Sequence, residues 1–314
     1  MSENLVFDKP INEQSSFNVK KEENKQKKSK RIKNTINYIF LTIFAFLSFM
    51  PFYWMIISSL KTETEYRLPS PTFFPKEFQW ENYSFVVTEG NNGLFGTMLI
   101  NTLIVGILST IIGVIITIIT AYAFAKLEFK GKNLLFSLML ATMMIPGELF
   151  TTTNYITVVK DFKLGNTYVA LIVPFLVSVY YIFLLRNNFK QIPDSLYKAA
   201  KVDGTSEMGY LMKVMVPLTA PTLISVTLLK FIGTWNSYIW PRLVNKKSEW
   251  RLISNWVTAT FTDRYGVLNH GIVYESYATL KMAAAFMVSL PLFILFIFFR
   301  KYIMHGVSKS GTKG

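Results

Sequence analysis

QIPDSLYKAAKVDGTSEMGYLMKVMVP, Gln191–Pro217, is a polar stretch of helical character set between two strongly apolar segments. Pro193 and Asp194 open a helix: proline restricts the chain, and the aspartate side chain can accept orphan amide protons as an N-cap. Every residue from Ser195 to Val202 can be helical, and Gly204 can take the left-handed conformation that ends the helix. Ser206 caps a second helix running through Met208, Leu211, Met212 and Met215. Leu196, Ala199 and Ala200 fall at i, i+3, i+4 and share one face. Two of the three are alanine, so that face is nearly flat and can lie close against another surface. The stretch therefore reads as a docking element, the plain alternative being an amphipathic linker between two membrane spans.

Working outward, the composition places the chain in a membrane. Of 314 residues, 51% are hydrophobic and only 17% charged, against about 25% charged in soluble domains. A net charge of +14 would suit nucleic acid, but the apolar runs argue against such a partner and the basic residues stand at their ends. No cysteine is present, which excludes disulfides, zinc–thiolate sites and thiol catalysis. His270 and His305 are far apart, leaving little for a metal site.

In chain order, residues 1–34 form a polar tail with KKEENKQKKSKRIK at Lys20–Lys33. It is expected to be disordered and does not read as a secretory signal. Six apolar spans follow at Thr35–Leu60, Leu94–Ala125, Leu134–Phe150, Tyr168–Leu185, Val214–Trp240 and Met282–Phe299, each measured against the ~20 residues a bilayer requires. Four regions result: the basic tail 1–34, a first helix with an external loop (35–93), a transmembrane core (94–300) and a C-terminal tail (301–314). Lysine and arginine concentrate in the N-terminal tail, the link after span two (Lys126, Lys130, Lys132), the 186–213 link and the C-terminus. By the positive-inside rule these face the cytoplasm, both termini included. The last outer loop runs against the trend with Arg242, Lys246, Lys247, Arg251 and Arg264.

Prolines within the spans (Pro146, Pro174, Pro217, Pro221, Pro291) remove backbone donors and bend helices. Bent helices can line a path that opens on alternate sides. The candidate path is LLKFIGTWNSYIWP, Leu228–Pro241. Lys230 lies inside the apolar run, where a lysine costs roughly 2.5–3.5 kcal/mol, so it should face protein or water. Thr234, Asn236, Ser237 and Tyr238 add hydrogen-bonding groups beside Trp235 and Trp240. Aromatic rings with neighbouring amides suit sugars. Trp240 also fits an interfacial aromatic belt.

The pattern AA-x-x-DG followed by MKVMVPLTAP resembles the cytoplasmic coupling motif of ATP-binding-cassette importer permeases. Ala199, Ala200, Asp203, Gly204 and Pro217 stand at matching positions; Lys198 replaces the family's usual glutamate and Val216 its usual leucine. Trp80, Asn82 and Tyr83 after the first span, MMIPGELF at Met143–Phe150 and IGTWNSYIWP are similar to segments of carbohydrate importer permeases. GVSKSGTKG at Gly306–Gly314 resembles the tail of the maltose-system subunit, with Thr312 at a usually aliphatic position. The resemblance implies an all-α integral membrane protein of six transmembrane helices with a cytoplasmic coupling-helix loop, the MetI-like type-1 permease fold. It implies a non-enzymatic permease subunit of a carbohydrate importer, working by alternating access. Its partners would be a second permease, an ATP-binding-cassette ATPase dimer, an extracellular sugar-binding protein and membrane lipid.

The chain has no phosphate-binding loop of its own: Gly131-Lys132 is followed by Asn133 and lacks the first glycine. No cofactor is expected here, and ATP would be bound by the partner. Leu196, Ala199, Ala200, Asp203, Gly204 and Ser206 would couple to that ATPase. An ion-coupled secondary transporter is the alternative, but it would want carboxylates or histidines within its spans. Only Glu148 lies near one. A membrane hydrolase would want paired carboxylates or a histidine metal motif, and none is present.

Overall fold

A computed structural model describes residues 13–90, 93–258 and 277–308, with side chains described from residue 28 to residue 302 within them. The described residues are helical or irregular, with no strand among them. Two compact units are present, 1–56 and 57–314.

The first unit is the body of α1, Glu13–Ser59, which holds Pro51. The basic stretch expected to be disordered is instead helical from Glu13, without interruption into the first span. Lys, Glu and Gln are good helix formers, and extending an existing helix avoids the cost of nucleating one.

The second unit begins with α2 (Glu63–Tyr66) and α3 (Glu81–Thr88), then α4 (Phe95–Lys126). At 32 residues and ~1.5 Å per residue, α4 exceeds a ~30 Å hydrocarbon core. Thr102, Gly106, Ser109, Gly113 and Thr117 are buried along it. Their spacing of three and four puts them on one face, and small residues there let other helices approach closely. A Cβ built on Gly106 would stand 2.9 Å from the Phe231 ring.

The remaining elements pack largely round α4. They are α5 (Lys132–Thr142), α6 (Thr151–Tyr155), α7 (Tyr168–Ile172), α8 (Val179–Lys190), α9 (Asp194–Val202), α10 (Glu207–Tyr210), α11 (Val216–Leu218), α12 (Ala220–Trp235), α13 (Ile239–Val244), α14 (Ile253–Trp256) and α15 (Ala278–Ser308). Short 3-10 turns at Gly147–Phe150 and Val173–Phe175, and wide π turns at Ile156–Asp161 and Leu211–Met215, join several of them. Helices α8 and α12 lie along α4, and α15 packs on α12.

Three helical stretches are long and apolar enough to cross a membrane: 28–59, 95–126 and 278–302. The other three expected spans are broken pairs. Segments 132–142 and 147–161 meet at 85°, 168–175 and 179–190 at 46°, and 207–218 and 220–235 at 84°. Prolines cause the breaks. Pro146 pushes Ile145 out of helical geometry, while Pro174, Pro217 and Pro221 each remove a helical donor.

The loop after α1 has a polar core. Glu63 is fully buried and accepts from the Thr279 amide and hydroxyl, both at 3.0 Å, and from Arg67 Nε at 2.8 Å. Glu65 accepts from Thr72 Oγ1 at 2.6 Å and the Lys76 amide at 3.0 Å. Asn82 Nδ2 donates to the Ser59 carbonyl at 2.9 Å, and Tyr83 bonds Ser59 Oγ. Trp80, grouped with them on sequence, is 65% exposed.

Candidate functional site: a projecting helix and a cavity between broken spans

Helix α9 closes in a Schellman motif. The Gly204 amide bonds the Lys201 carbonyl at 3.1 Å and the Thr205 amide bonds the Ala200 carbonyl at 2.9 Å. This needs a left-handed residue, and Gly204 supplies φ +70° at little steric cost. Ser206 Oγ accepts from the Gly209 amide at 3.1 Å, so it caps α10 as expected.

Asp194 does not cap α9. Pro193 holds the N-cap position, and the Asp194 carboxylate pairs with Lys126 Nζ at 2.6 Å. That hydrogen bond, with the Lys126 charge, holds the carboxyl below its ordinary range. Leu196, Ala199, Asp203 and Gly204 are exposed, whereas Ala200 and Tyr197 lean onto the core beneath. Val202 extends the exposed apolar patch at 88%. Sequence reasoning passes over it, because a lone valine at a helix end carries no pattern.

Sequence reasoning also misses Glu207. Its carboxylate accepts from the hydroxyls of Tyr122 on α4 and Tyr197 on α9 (the latter at 2.7 Å) and pairs with Lys201 at 2.5 Å. The hydrogen bond to Glu207 holds the Lys201 ammonium charged above its ordinary range. No local signal marks such a residue, since its partners lie 85 and 10 positions away.

The candidate path residues separate. A cavity of about 420 Å³ lies between α4, the α7–α8 break and α12; its walls include Ser109, Phe175, Tyr181, Lys230, Thr234 and Ser237. A neighbouring cavity of about 500 Å³ shares Phe175, Ser237 and Trp240 and adds Glu148, Asn236 and Tyr238. Lys230 is only 6% exposed, and its ammonium donates to the carbonyls of Phe175 and Leu176 at 3.0 and 3.2 Å. Those carbonyls sit where the helix stops before the extended Ser178. Lys230 thus satisfies its charge by capping the broken span while its side chain borders the cavity.

Trp240 is buried rather than interfacial, and its indole donates to the Ala170 carbonyl at 2.8 Å. Pro174, four residues on, has no N–H to offer that carbonyl. Thr234 bonds Ser109 Oγ at 3.3 Å across to α4, and Asn236 is exposed. Tyr238 bonds Arg242 and Thr258 at one edge. Among the described residues no cluster of metal-ligating side chains is present.

A family model described as "Binding-protein-dependent transport system inner membrane component" matches residues 113–309. The arabinooligosaccharides transport system permease protein AraQ of Halalkalibacterium halodurans is 30% identical over 282 residues, covering 89% of this chain and 95% of that protein. The diacetylchitobiose uptake system permease protein DasC of Streptomyces coelicolor is 26% identical, covering 84% and 91%. A crystal structure of a bacterial ABC transporter that imports the acidic polysaccharide alginate matches with a TM-score of 0.76 at 24% identity, covering 87% of this chain and 97% of that one. A second, of an alginate ABC transporter with its pentasaccharide-bound periplasmic protein, matches at TM-score 0.57 and 15% identity, covering 88% and 97%. The helical fold with its projecting helix, the family match through all three broken pairs and the relatives covered over most of their length agree: the chain is a multi-pass membrane protein belonging to the inner-membrane components of binding-protein-dependent transport systems.

Proposed function

We propose that this chain forms one half of the translocation path of an ATP-driven saccharide importer and receives its power stroke through residues 194–210. One observation carries this: α9 projects an exposed Leu196, Ala199 and Val202 patch, closed by a left-handed glycine and backed by buried tyrosines. A flat apolar face on a braced helix suits a protein partner. That partner is an ATPase subunit, which supplies the nucleotide chemistry. The other half of the path is a second, non-identical permease, and an extracellular binding protein delivers the sugar. The chain crosses the membrane in six spans, three of them bent, with residues 94–300 as the transport core and both termini in the cytoplasm. The wall hydroxyls of Ser109, Thr234 and Ser237 with the rings of Phe175 and Tyr181 suit a saccharide. Lys230 belongs to that wall, and Asn236 lines the neighbouring cavity. The ion-coupled alternative finds no support among the relatives.

The test is co-purification of the ATPase subunit encoded with this chain, together with uptake of labelled arabino-, chito- and uronate oligosaccharides by intact cells. Gly204→Val is expected to insert normally and lose ATPase co-purification or uptake. Wild-type values in both assays would reduce the segment to a linker. If position 198 contacts an ATPase adapted to lysine, Lys198→Glu weakens the same co-purification.

A further inference from the structure

We infer that Glu207 is a positioning residue that fastens the docking helix to α4, so that the ATPase stroke reaches span two directly as well as the span five that follows it in sequence. This rests on the proposal that α9 docks an ATPase. The backbone already links α9 to α12 through Gly204, α10 and the turn at Leu211–Met215. Nothing covalent links α9 to α4 over so short a distance, and α4 is the helix along which α8 and α12 pack. Whatever moves α4 moves the cavity wall at Ser109.

Both carboxylate oxygens of Glu207 are engaged. Oε2 accepts from Tyr122 on α4, a side chain that is 4% exposed. Oε1 accepts from Tyr197 at 2.7 Å and pairs with Lys201 at 2.5 Å, both on α9. The ring of Tyr210 sits between them, 5.1 Å from that of Tyr197 and 6.4 Å from that of Tyr122. Apolar packing alone can slide. Charge-assisted hydrogen bonds converging from two helices on one carboxylate are directional and resist that sliding. A second tie, Lys126 to Asp194 and to the Ile192 carbonyl at 2.6 and 2.9 Å, lies at the start of the same helix. Its carboxylate is exposed, so solvent screens it.

The absence of native cysteine makes the test direct. Spin labels are placed at Lys130→Cys, beyond the end of α4, and at Ser195→Cys, an exposed position on α9 outside the docking face. Distances are measured in the complex with its ATPase, nucleotide-free and trapped with ADP–vanadate. With Glu207 intact, one narrow distance is expected in both states, because the two elements move as one body. In Glu207→Gln and Tyr122→Phe the distribution should broaden on trapping while ATPase co-purification persists. Tyr122→Phe keeps the ring and removes one hydroxyl, so it decides the matter should Glu207→Gln fold poorly. An unchanged narrow distance in both variants overturns the role of Glu207 and leaves the docking proposal standing. Loss of the ATPase from Gly204→Val with no broadening in Tyr122→Phe would uphold docking through α9 and overturn the tie to α4.

Discussion

Gly113 shows how one missing side chain positions a charge. A Cβ there would stand 2.1 Å from Lys230 Cε and 2.8 Å from the Leu176 carbonyl, so Gly113→Ala forces the ammonium off the carbonyls it caps. Overpacking of this kind costs about 1–3 kcal/mol, read as a lower unfolding midpoint in detergent. Adding Lys230→Met should recover only part of the loss, since the Leu176 carbonyl is backbone and cannot swing aside; full recovery would show that the lysine alone was crowded. Gly204 is the opposite case. A Cβ there would meet nothing within 4 Å, and its φ of +70° is the constraint. Gly204→Ala should therefore cost about 1 kcal/mol through backbone strain alone, with packing inside the chain unchanged in the same unfolding assay.

At the scale of the element, the break between α7 and α8 stands because α12 and α13 finish its hydrogen bonding. Trp240→Phe keeps the aromatic bulk and leaves the Ala170 carbonyl without its indole partner. A buried unsatisfied acceptor costs about 1–3 kcal/mol, and the loss should be concentrated in hydrogen exchange around 168–175 rather than spread over α4. Helix α9 carries a pH signature. Asp194 is held below its ordinary range by Lys126, so its tie is present above about pH 4 and is lost as pH falls through the depressed value. Lys201 is held above its ordinary range by Glu207; its tie is present below about pH 10.4 and is lost as pH rises through the raised value. A spin label at position 198 should keep constant mobility from about pH 5 to about pH 9 and loosen outside that window. Asp194→Asn should shrink the acid limb and leave the alkaline one; what remains on the acid side belongs to Glu207, whose carboxyl, against the upward push of burial, is held down to about 2 by its hydrogen bonds to Lys201, Tyr122 and Tyr197.

At the scale of the whole molecule, the charge distribution predicts which residues meet which compartment. Lys130 and Trp80 are both exposed. An impermeant thiol reagent applied to intact cells should label Trp80→Cys and spare Lys130→Cys, and the reverse would invert the topology. Asn255 makes a poor external reporter, being 6% exposed with its amide on the Tyr238 carbonyl.

Much of this architecture was written in local chemistry. Runs of apolar residues longer than a bilayer is thick, glycine after a short helix, and Ser206 before one each state their outcome within a few positions, because hydrophobic transfer and helix capping act over that range. The prolines announced bends and Gly204 the end of a short helix, whereas Ala200, expected on one face with Leu196 and Ala199, leans onto the core instead. Partnership over distance was not legible. That Asp194 answers Lys126 rather than its own helix, that Lys230 and Trp240 complete a different helical segment, and that Glu63 joins the loop after α1 to α15 follow only once the helices are packed. A buried polar group must be satisfied by whatever the fold brings within about 3 Å, and that neighbour is chosen by tertiary structure, not by sequence distance.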